Sequence, residues 1–576
     1  MRRVTSFGVT LCLLWLTSFG GSDPRPVALA QAPPVPFVDR TARSGLDFVH
    51  VNGAAGERFL PEVIGAGGAL FDVDNDGDLD LFAVQSGALR PGTRGSATAP
   101  RSRLYRNDRG AGGGGSLRFT DVTGRSGIVA TGYGMGATTG DYDNDGWVDL
   151  YVTSLGPNQL FHNNGDGTFT DVTDKTGTGD TRWSTSATFF DYDQDGWLDL
   201  FVANYVNFSL DMKRECFSAG SARDYCNPVV YDPAPDTLLH NNRNGTFSDV
   251  SVLAGIARSP ARGLGVLAAD LNADGWTDLY VANDGDPNHL WTNERGTGSF
   301  RDDALLSGVA VSRMGRAQGS MGVDLGDVDR DGDEDLFVTN LDNEGNTLYV
   351  NQGQGLFEDR TVEAGLFKLG LTGFGTHLTD YDNDGWLDLF IVNGAVRQMS
   401  SQVRTGDPYP LKQRNQLFRN DRGRFAEVTA RAGPPFERLE VGRGLSMGDL
   451  DNDGDSDVVI FNNNGPARVL LNEIGSRRHW IGARVLDGPN RRDALHARVE
   501  LVRRGGSLWR RVQADGSYAA SSDPRLVFGL GEDATPQTIR VHWPGGKAEE
   551  FRGLTADRYW VLEAGKPPRG LKTESR

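Results

Sequence analysis

Aspartate stands at every second position of one short pattern in this sequence. The pattern, Asp-x-Asp-x-Asp-Gly-x-x-Asp followed by apolar residues, occurs seven times and begins at Asp72, Asp141, Asp191, Asp270, Asp327, Asp380 and Asp449. Such spacing wraps oxygen ligands around one point, and the glycine at position 6 permits the sharp turn. Oxygen-only ligands in a flexible loop favour Ca²⁺ over Mg²⁺. The sequence therefore predicts up to seven calcium sites.

The same loop positions recur as predicted ligands in every copy. Positions 1, 3, 5 and 9 supply side-chain oxygens, and position 7 supplies its backbone carbonyl. The fourth copy has Asn272 at position 3; the amide still offers an oxygen, so this site is expected to be weaker rather than absent. The predicted ligands are Asp72, Asp74, Asp76, Asp78 and Asp80; Asp141, Asp143, Asp145, Trp147 and Asp149; Asp191, Asp193, Asp195, Trp197 and Asp199; Asp270, Asn272, Asp274, Trp276 and Asp278; Asp327, Asp329, Asp331, Asp333 and Asp335; Asp380, Asp382, Asp384, Trp386 and Asp388; and Asp449, Asp451, Asp453, Asp455 and Asp457.

The pattern has two other possible interpretations. Solvated acidic turns need no metal, but crowded carboxylates repel one another unless a cation lies among them, and seven copies repeat the arrangement. An EF-hand loop begins in the same way but requires Glu at position 12 and flanking helices. Position 12 is apolar in all seven copies, so the EF-hand is excluded; the residues are Ala83, Val152, Val202, Val281, Val338, Ile391 and Ile460.

Composition narrows the class of protein. The 576 residues carry a formal net charge of −18, which argues against nucleic acid as a partner. Hydrophobic residues make up 38% and charged residues 24%, as in folded proteins that are neither disordered nor membrane-embedded. Glycine, at 76 residues without a Gly-X-Y period, favours β structure rich in turns.

The first 32 residues have the pattern of a secretory signal peptide. Arg2 and Arg3 precede an apolar stretch at residues 9–16, and small residues at 28–32 offer cleavage sites. An uncleaved anchor is the alternative; no other segment could span a bilayer. The protein is therefore expected to be secreted or periplasmic. In that setting, the remaining cysteines, Cys216 and Cys226, are predicted to form a disulfide.

Other short motifs recur along the chain together with the Asp pattern. A Gly-spaced segment precedes the loop in four units, and an apolar run follows the loop. A Leu-aromatic-x-Asn motif recurs in five units and a Phe-x-Asp/Glu motif in six, all with strand composition. Four strands in each of seven units predict a seven-bladed β-propeller over residues 33–474. The seventh unit lacks its Phe-x-Asp motif, and the segment 37–41 at the other end is predicted to complete that blade. Insertions are expected at about 88–116, which looks disordered, and at 205–236.

The repeat stops at about residue 477. Alternating and apolar runs predict a small all-β domain at residues 475–566, followed by a loose tail at 567–576. The fold class is thus all-β throughout: a propeller followed by a smaller β domain.

These motifs resemble known families. The Gly-spaced strand, the Asp loop and the following Asp-Leu-aromatic run resemble FG-GAP (VCBS) repeats over residues 37–472. That resemblance implies the propeller of integrin α-subunits, with calcium in the loop between the first two strands of a blade. Segments 490–494, 521–525 and 541–546 resemble the ASPIC/UnbV domain, which follows FG-GAP repeats in the cartilage acidic protein family. The usual Ile-Gly before Ala-Arg-Val is replaced by Leu495-His496, so that turn is expected to differ.

Three functions remain open from the sequence. The first is a calcium-stabilised module that binds an extracellular protein or carbohydrate; the second is a polysaccharide-active enzyme or accessory protein; the third is a purely structural partner. The sequence contains no nucleophile elbow, HExxH motif or clustered histidine set, which favours a non-enzyme. Tryptophans at loop position 7 suit either sugar stacking or loop packing. His162 and His240 occupy a variable strand position and are expected to face solvent.

Overall fold

The computed structural model describes residues 35–89, 100–109, 116–212, 214–218, 222–488 and 491–571. The predicted signal peptide, much of the first insertion and residues 572–576 lie outside the described residues. From Val35 onward the chain forms one compact unit. Within the described part, no helix has both the length and the apolar character needed to cross a membrane.

Strands dominate the described chain. The first thirty are β1 (Phe37–Asp39), β2 (Gly68–Phe71), β3 (Asp80–Ala83), β4 (Arg103–Asn107), β5 (Phe119–Asp121), β6 (Tyr133–Gly140), β7 (Asp149–Leu155), β8 (Gln159–Asn163), β9 (Phe169–Asp171), β10 (Ser184–Phe190), β11 (Asp199–Asn204), β12 (Cys216–Phe217), β13 (Arg223–Asp224), β14 (Thr237–Asn241), β15 (Phe247–Asp249), β16 (Gly263–Ala269), β17 (Asp278–Asn283), β18 (His289–Asn293), β19 (Phe300–Asp302), β20 (Val323–Gly326), β21 (Asp335–Val338), β22 (Thr347–Asn351), β23 (Phe357–Asp359), β24 (Gly373–Thr379), β25 (Asp388–Asn393), β26 (Gln416–Asp421), β27 (Arg424–Glu427), β28 (Gly442–Gly448), β29 (Asp457–Asn462) and β30 (Arg468–Asn472).

Ten more strands belong to the C-terminal part, and the helices are short. The strands are β31 (His479–Asp487), β32 (Arg492–Asp493), β33 (Arg498–Leu501), β34 (Leu508–Arg511), β35 (Ala520–Ser521), β36 (Leu526–Gly531), β37 (Gln537–His542), β38 (Ala548–Leu554), β39 (Tyr559–Glu563) and β40 (Arg569–Gly570). The α-helices are α1 (Thr41–Ser44), α2 (Thr123–Ser126), α3 (Thr173–Thr176), α4 (Ala304–Ser307) and α5 (Ser400–Arg404). Single 3₁₀ turns lie at Leu60–Val63, Pro228–Val230, Ile256–Arg258, Thr429–Arg431, Pro434–Glu437 and Gly475–Arg477.

Seven antiparallel sheets repeat the same four-stranded order. They are β2 to β5, β6 to β9, β10-β11-β14-β15, β16 to β19, β20 to β23, β24 to β27 and β28-β29-β30-β1. The first strand of each sheet lies against the first strand of the next, and β28 of the seventh sheet lies against β2 of the first. The predicted all-β fold with seven repeat units and a C-terminal β domain is confirmed.

The N-terminal strand is the fourth strand of the seventh sheet, as predicted. Phe37 pairs with Asn472 in the antiparallel ladder between β1 and β30. The Phe37 side chain is fully buried, and its ring centre lies 5.8 Å from that of Phe390 and 5.9 Å from that of Phe436. The two ends of the repeat region are therefore joined by hydrogen bonds and by an aromatic core.

The C-terminal part has two sheets of its own. One contains β32-β31-β39-β40 with β36 also paired to β31, and the other contains β34-β33-β37-β38. Their apolar faces share a core that includes Ile481, Val499, Phe528 and Val541. The predicted loose tail is wrong for its beginning, because β40 pairs with β39. Its pairing depends on a partner strand, which composition does not reveal.

Residues 512–525, named here the central segment, leave this domain and run between the seven repeat sheets. The segment contacts the first strand of every sheet. The contacts are β35 with β2, Ala519 O with Ala137 N, Asp515 with Thr188, Asp515 with Ala268 N, Ser517 O with Val323 N, Tyr518 with Phe374, and Asp523 N with Met447 O. The central segment thus lies against the innermost strands of all seven sheets.

This segment explains two of the glycines beside the innermost strands. A Cβ at Gly136 would lie 2.6 Å from the carbonyl oxygen of Ala519, and a Cβ at Gly67 would collide with the same oxygen. Others make room for the neighbouring innermost strand, as Gly375 does for the carbonyl of Arg443. These glycines therefore permit close approach of another stretch of chain.

Tyr518 anchors the central segment, so its truncation is expected to be costly. The side chain is fully buried, and its hydroxyl donates to the carbonyl of Ile64 at 3.0 Å. Tyr518→Ala is expected to lower the free energy of unfolding by about 3–5 kcal/mol. Tyr518→Phe removes only the hydrogen bond and should cost about 1 kcal/mol. Denaturant unfolding measures both variants; equal costs would contradict this packing role.

The second insertion covers the opposite end of the sheets from the Asp loops. Cys216 and Cys226 are bonded to each other, which confirms the predicted disulfide, and they flank the β12–β13 hairpin. Cys226 packs with Trp183, Tyr205 and Tyr225 in a buried cluster beside the start of the innermost strands. The described residues of the insertion next to the disulfide therefore pack into the folded core.

Candidate metal centres

All seven Asp loops connect the innermost strand of a sheet to its second strand, so they lie at one end of the repeat region. Position 9 is the first residue of the second strand in each case, as with Asp80 in β3 and Asp388 in β25. Position 4 has a positive φ throughout, and Gly at position 6 has φ between 88° and 97°. The left-handed turn at these two positions folds the loop back on itself.

Hydrogen bonds inside the loop fix the first carboxylate. The two oxygens of Asp72 accept the amides of Asp76 at 3.1 Å and Gly77 at 3.0 Å. The other six loops repeat both bonds with distances of 2.8–3.2 Å. One local geometry therefore serves all seven loops, and it follows from the sequence pattern.

The asparagine of the Leu-aromatic-x-Asn motif donates a hydrogen bond to the carboxylate at loop position 9 and links neighbouring sheets through its side chain. The amide N–H of Asn107 donates to Asp80 Oδ1 at 2.7 Å, and the side chain of Asn107 donates to the carbonyl of Leu450 at 3.0 Å. Leu450 is position 2 of the seventh loop. Equivalent side-chain bonds join every sheet to the loop of the preceding sheet, from Asn163, Asn241, Asn293, Asn351, Asn420 and Asn472.

The carboxylates of each loop point toward one another. Ligand atoms of positions 1, 3 and 9 lie within 4.8 Å of each other in the first, second, third and fifth loops. In the sixth and seventh loops, the buried ligand oxygens Asp388 Oδ2 (position 9) and Asp451 Oδ1 (position 3) make no hydrogen bond within the described residues. A buried carboxylate oxygen without a partner costs free energy that a bound cation would recover. The donor set is all oxygen, so these residues fit a hard cation such as Ca²⁺.

Burial changes the acid–base behaviour of these groups. It is the main cause that raises the pKa of Asp141 and of Asp380 to about 7 and that of Asp278 to about 8. Neighbouring carboxylates raise the pKa further, as Asp384 and Asp382 do for Asp380. Without a cation, these loops favour protonated carboxyls near neutral pH.

The metal-free protein is therefore expected to become less stable as the pH rises. A carboxyl whose pKa is about 7 when folded and 3.8 when unfolded binds more protons in the folded state between these values, so its stabilising effect is lost as the pH rises through that window. With chelator present, the melting temperature should be higher at pH 5.5 than at pH 8. With saturating Ca²⁺ the order should reverse, because protons compete with the cation. Differential scanning fluorimetry measures both; a chelated protein that melts higher at pH 8 would contradict the expectation.

Arginines of the C-terminal part face the first carboxylate of every loop. Arg484 lies 3.8 Å from Asp72, and Arg510 lies 4.0 Å from Asp380. Burial raises the pKa of all seven carboxyls, and five arginines offset part of that rise: Arg484 and Arg525 at Asp72, Arg492 at Asp141 and Asp191, Arg511 at Asp270, Arg510 at Asp327 and Asp380, and Arg525 at Asp449. The C-terminal part is thus seated on the Asp-loop end. The sequence alone did not indicate this role.

The tryptophans at position 7 pack locally in three of the four loops. The indole of Trp147 lies over Gly165, where a Cβ would come within 2.7 Å of the ring, and Trp276 lies over Gly296 in the same way. Trp386 stacks on the guanidinium of Arg330 at 3.6 Å. These contacts favour the loop-packing interpretation of Trp147, Trp276 and Trp386 over sugar stacking.

The two strand histidines are not solvated, and that prediction is wrong. His162 is 24% exposed and lies over the second loop, with Nδ1 3.2 Å from Asp149 Oδ1. His240 lies over the third loop, with Nδ1 3.1 Å from Asp199 Oδ1. The motif position that looked variable and outward in fact faces the Asp loop of its own sheet.

The repeats and the C-terminal part both match known family models. Five matches to the FG-GAP-like repeat cover residues 72–152, 141–202, 211–281, 270–338 and 327–391. The chain belongs to the FG-GAP-like repeat family. In addition, residues 487–569 match the ASPIC and UnbV family.

Relatives of this FG-GAP-like repeat protein include cartilage acidic protein 1. The Homo sapiens protein is 28% identical over 326 residues, covering 55% of this chain and 46% of the relative. The Mus musculus protein is 27% identical over 351 residues, covering 58% and 50%. The chain spans about half the length of these curated relatives.

Solved structures show only a distant likeness. An Agrocybe aegerita lectin described as recognising non-reducing terminal N-acetylglucosamine has a TM-score of 0.38 and 15% identity, covering 65% of this chain and 90% of the lectin. A BBS1N structure in complex with ARL6DN has a TM-score of 0.37 and 9% identity, covering 70% and 91%. TM-scores this low do not support any conclusion about the function of this protein.

Proposed function

We propose that the protein is a secreted or periplasmic calcium-binding propeller that acts as a non-catalytic binding module for a protein or a carbohydrate. The observation that supports this most directly is the shared folding of seven loops whose carboxylates converge, with buried ligand oxygens of Asp388 and Asp451 left without hydrogen bonds within the described residues. The family match and the likeness to cartilage acidic protein 1 agree with an adhesion-type module outside the cell.

Calcium in these loops would supply positive charge that offsets the crowded carboxylates. The residues that would hold it are positions 1, 3, 5 and 9 of each loop, with the carbonyl of position 7. The arginines Arg484, Arg492, Arg510, Arg511 and Arg525 face the same loops from the C-terminal side, where they balance part of the remaining negative charge. Ion binding and seating of the C-terminal part would therefore reinforce one rigid body.

Isothermal titration of chelator-stripped protein with CaCl₂ tests calcium binding. The double variant Asp329→Asn/Asp335→Asn weakens the ligands of the fifth loop, and about one site should be lost. The matched control Asp421→Asn changes an aspartate outside the loops whose side chain is 87% exposed, and it should bind as the wild type does. A wild-type protein without Ca²⁺ binding, or equal binding by the double variant, would contradict the proposal.

A groove between the first two sheets is a candidate ligand surface. Its volume is about 380 Å³, and its lining includes Arg106, Arg125, Trp147 and Asp166 together with Asp74 of the first loop. Charged side chains beside an indole edge suit a polar ligand such as a glycan or an acidic peptide. Glycan arrays and defined extracellular proteins, probed with and without Ca²⁺, test this. Binding should need Ca²⁺ and weaken in Arg125→Ala; binding that persists fully in chelator would contradict a calcium-dependent module.

A further inference from the structure

One strand position distinguishes the seven Asp loops from one another. It is the variable residue of the Leu-aromatic-x-Asn motif, whose side chain faces the loop of its own sheet in the second, third and sixth sheets. Its occupants, from the first sheet to the seventh, are Arg106, His162, His240, Thr292, Val350, Arg419 and Leu471. Apart from Asn272 in the fourth loop, the loops share the aspartates at positions 1, 3, 5 and 9, so this strand position is where their chemistry differs most.

In the second loop the occupant adds a nitrogen donor. His162 Nδ1 lies 3.2 Å from Asp149 Oδ1 and 3.3 Å from Asp143 Oδ2, and its Nε2 lies 3.9 Å from Asp145 Oδ2. Donor atoms of Asp143, Asp145 and His162 all lie within 4.8 Å of one another, the spacing expected around one metal ion. His162 Nδ1 and Asp143 Oδ1 are both buried and have no hydrogen-bond partner of proper geometry within the described residues.

The third loop repeats this arrangement, whereas the sixth differs. His240 Nδ1 lies 3.1 Å from Asp199 Oδ1 and 3.8 Å from Asp193 Oδ2, although the hydroxyl of Tyr192 also reaches this nitrogen at 3.1 Å. In the sixth loop, Arg419 places its guanidinium 2.7 Å from Asp384 and 3.3 Å from Asp382. A fixed cation there disfavours a second cation, whereas an imidazole can coordinate one.

Nitrogen and carboxylate donors together select a different metal from carboxylates alone. Ca²⁺ takes oxygen ligands, whereas imidazole nitrogen suits Zn²⁺ and related divalent transition metals. We propose that the second loop is a mixed nitrogen–oxygen site that binds a divalent transition-metal ion of the zinc class through His162, Asp143 and Asp145, with the third loop as a weaker second site through His240. This inference rests on the proposed role of the loops as divalent-cation sites.

Cobalt provides a visible probe for this site. The chelator-stripped mature protein, saturated with Ca²⁺, is titrated with CoCl₂ while the visible d–d absorption is recorded. Tight binding of one Co²⁺, followed by a weaker second, is expected. His162→Gln should weaken the tighter event by at least about tenfold, equivalent to about 1.4 kcal/mol. The control His479→Gln alters a histidine outside the loops, whose side chain is 39% exposed, and should leave the titration unchanged.

The outcomes separate this inference from the calcium proposal. Unchanged Co²⁺ binding in His162→Gln, while the calcium stoichiometry is normal, would overturn the mixed site alone. An absence of Ca²⁺ binding to any loop would overturn the proposed function instead. Should His162→Gln fail to fold, X-ray absorption of the Co²⁺-loaded wild type decides: imidazole scattering at cobalt supports the site, and its absence overturns it.

Discussion

Chelation of divalent cations should lower the melting temperature of the mature protein by about ten degrees or more. Each calcium ion that binds only the folded state at one hundred times its dissociation constant stabilises it by about 2.7 kcal/mol. Removing several ions also leaves the buried carboxylates of each loop facing one another, which adds repulsion to the lost binding energy. Scanning calorimetry with EDTA, against excess Ca²⁺ at equal ionic strength, measures the change.

A comparison of Ca²⁺ with Mg²⁺ provides the control for this experiment. Ca²⁺ added back should restore the melting temperature, and Mg²⁺ should restore less, because it demands a stricter octahedral geometry and gives up its water reluctantly. A melting temperature that moves by less than about one degree with chelator would show that cations do not stabilise the fold.

Deletion of residues 33–42 should destabilise the folded protein nearly as much as chelation does. It removes β1 from the seventh sheet, along with the fully buried ring of Phe37. Loss of that side chain alone, in Phe37→Ala, is expected to cost about 3–5 kcal/mol, and loss of the strand adds broken ladder hydrogen bonds and an exposed sheet edge. The deleted protein should aggregate or melt far earlier, although it loses no predicted metal ligand.

Matched variants separate this effect from simple shortening of the chain. Deletion of residues 572–576, or Val35→Ala at a side chain that is 37% exposed, should change the unfolding midpoint little. If the deletions of residues 33–42 and 572–576 gave equal midpoints in denaturant, β1 would not be needed to complete the seventh sheet.

Features that depend on local chemistry follow from the sequence. The Asp loops and the strands follow from repeated motifs, because turn glycines, alternating apolar residues and loop carboxylates act within a few residues of one another. The place of Phe37 beside Asn472 follows instead from the count of repeats, since the seventh unit lacks its Phe-x-Asp motif. The disulfide between Cys216 and Cys226 followed from their being the only cysteines left after the predicted signal peptide.

The features that the sequence did not predict depend on contacts between residues far apart in the chain. The central segment carries no repeat and little local preference, so nothing in residues 512–525 indicated that they lie among the innermost strands. Gly67 and Gly136 make room for Ala519 of this segment, but the sequence alone does not show why glycine stands at these two positions. The arginines facing the loops and the inward turn of His162 were likewise hidden, because each depends on how separate strands are brought together.

Native mass spectrometry of the mature protein counts the bound cations directly. At saturating Ca²⁺, the folded protein should carry several calcium ions and at most seven. The lowest affinities are expected at the fourth loop, which has Asn272, at the sixth, which has Arg419, and at the second and third, which His162 and His240 face. Asp388→Asn and Asp457→Asn should each remove one ion. A folded protein that carries no calcium at millimolar concentrations would contradict the assignment of the seven loops as calcium sites.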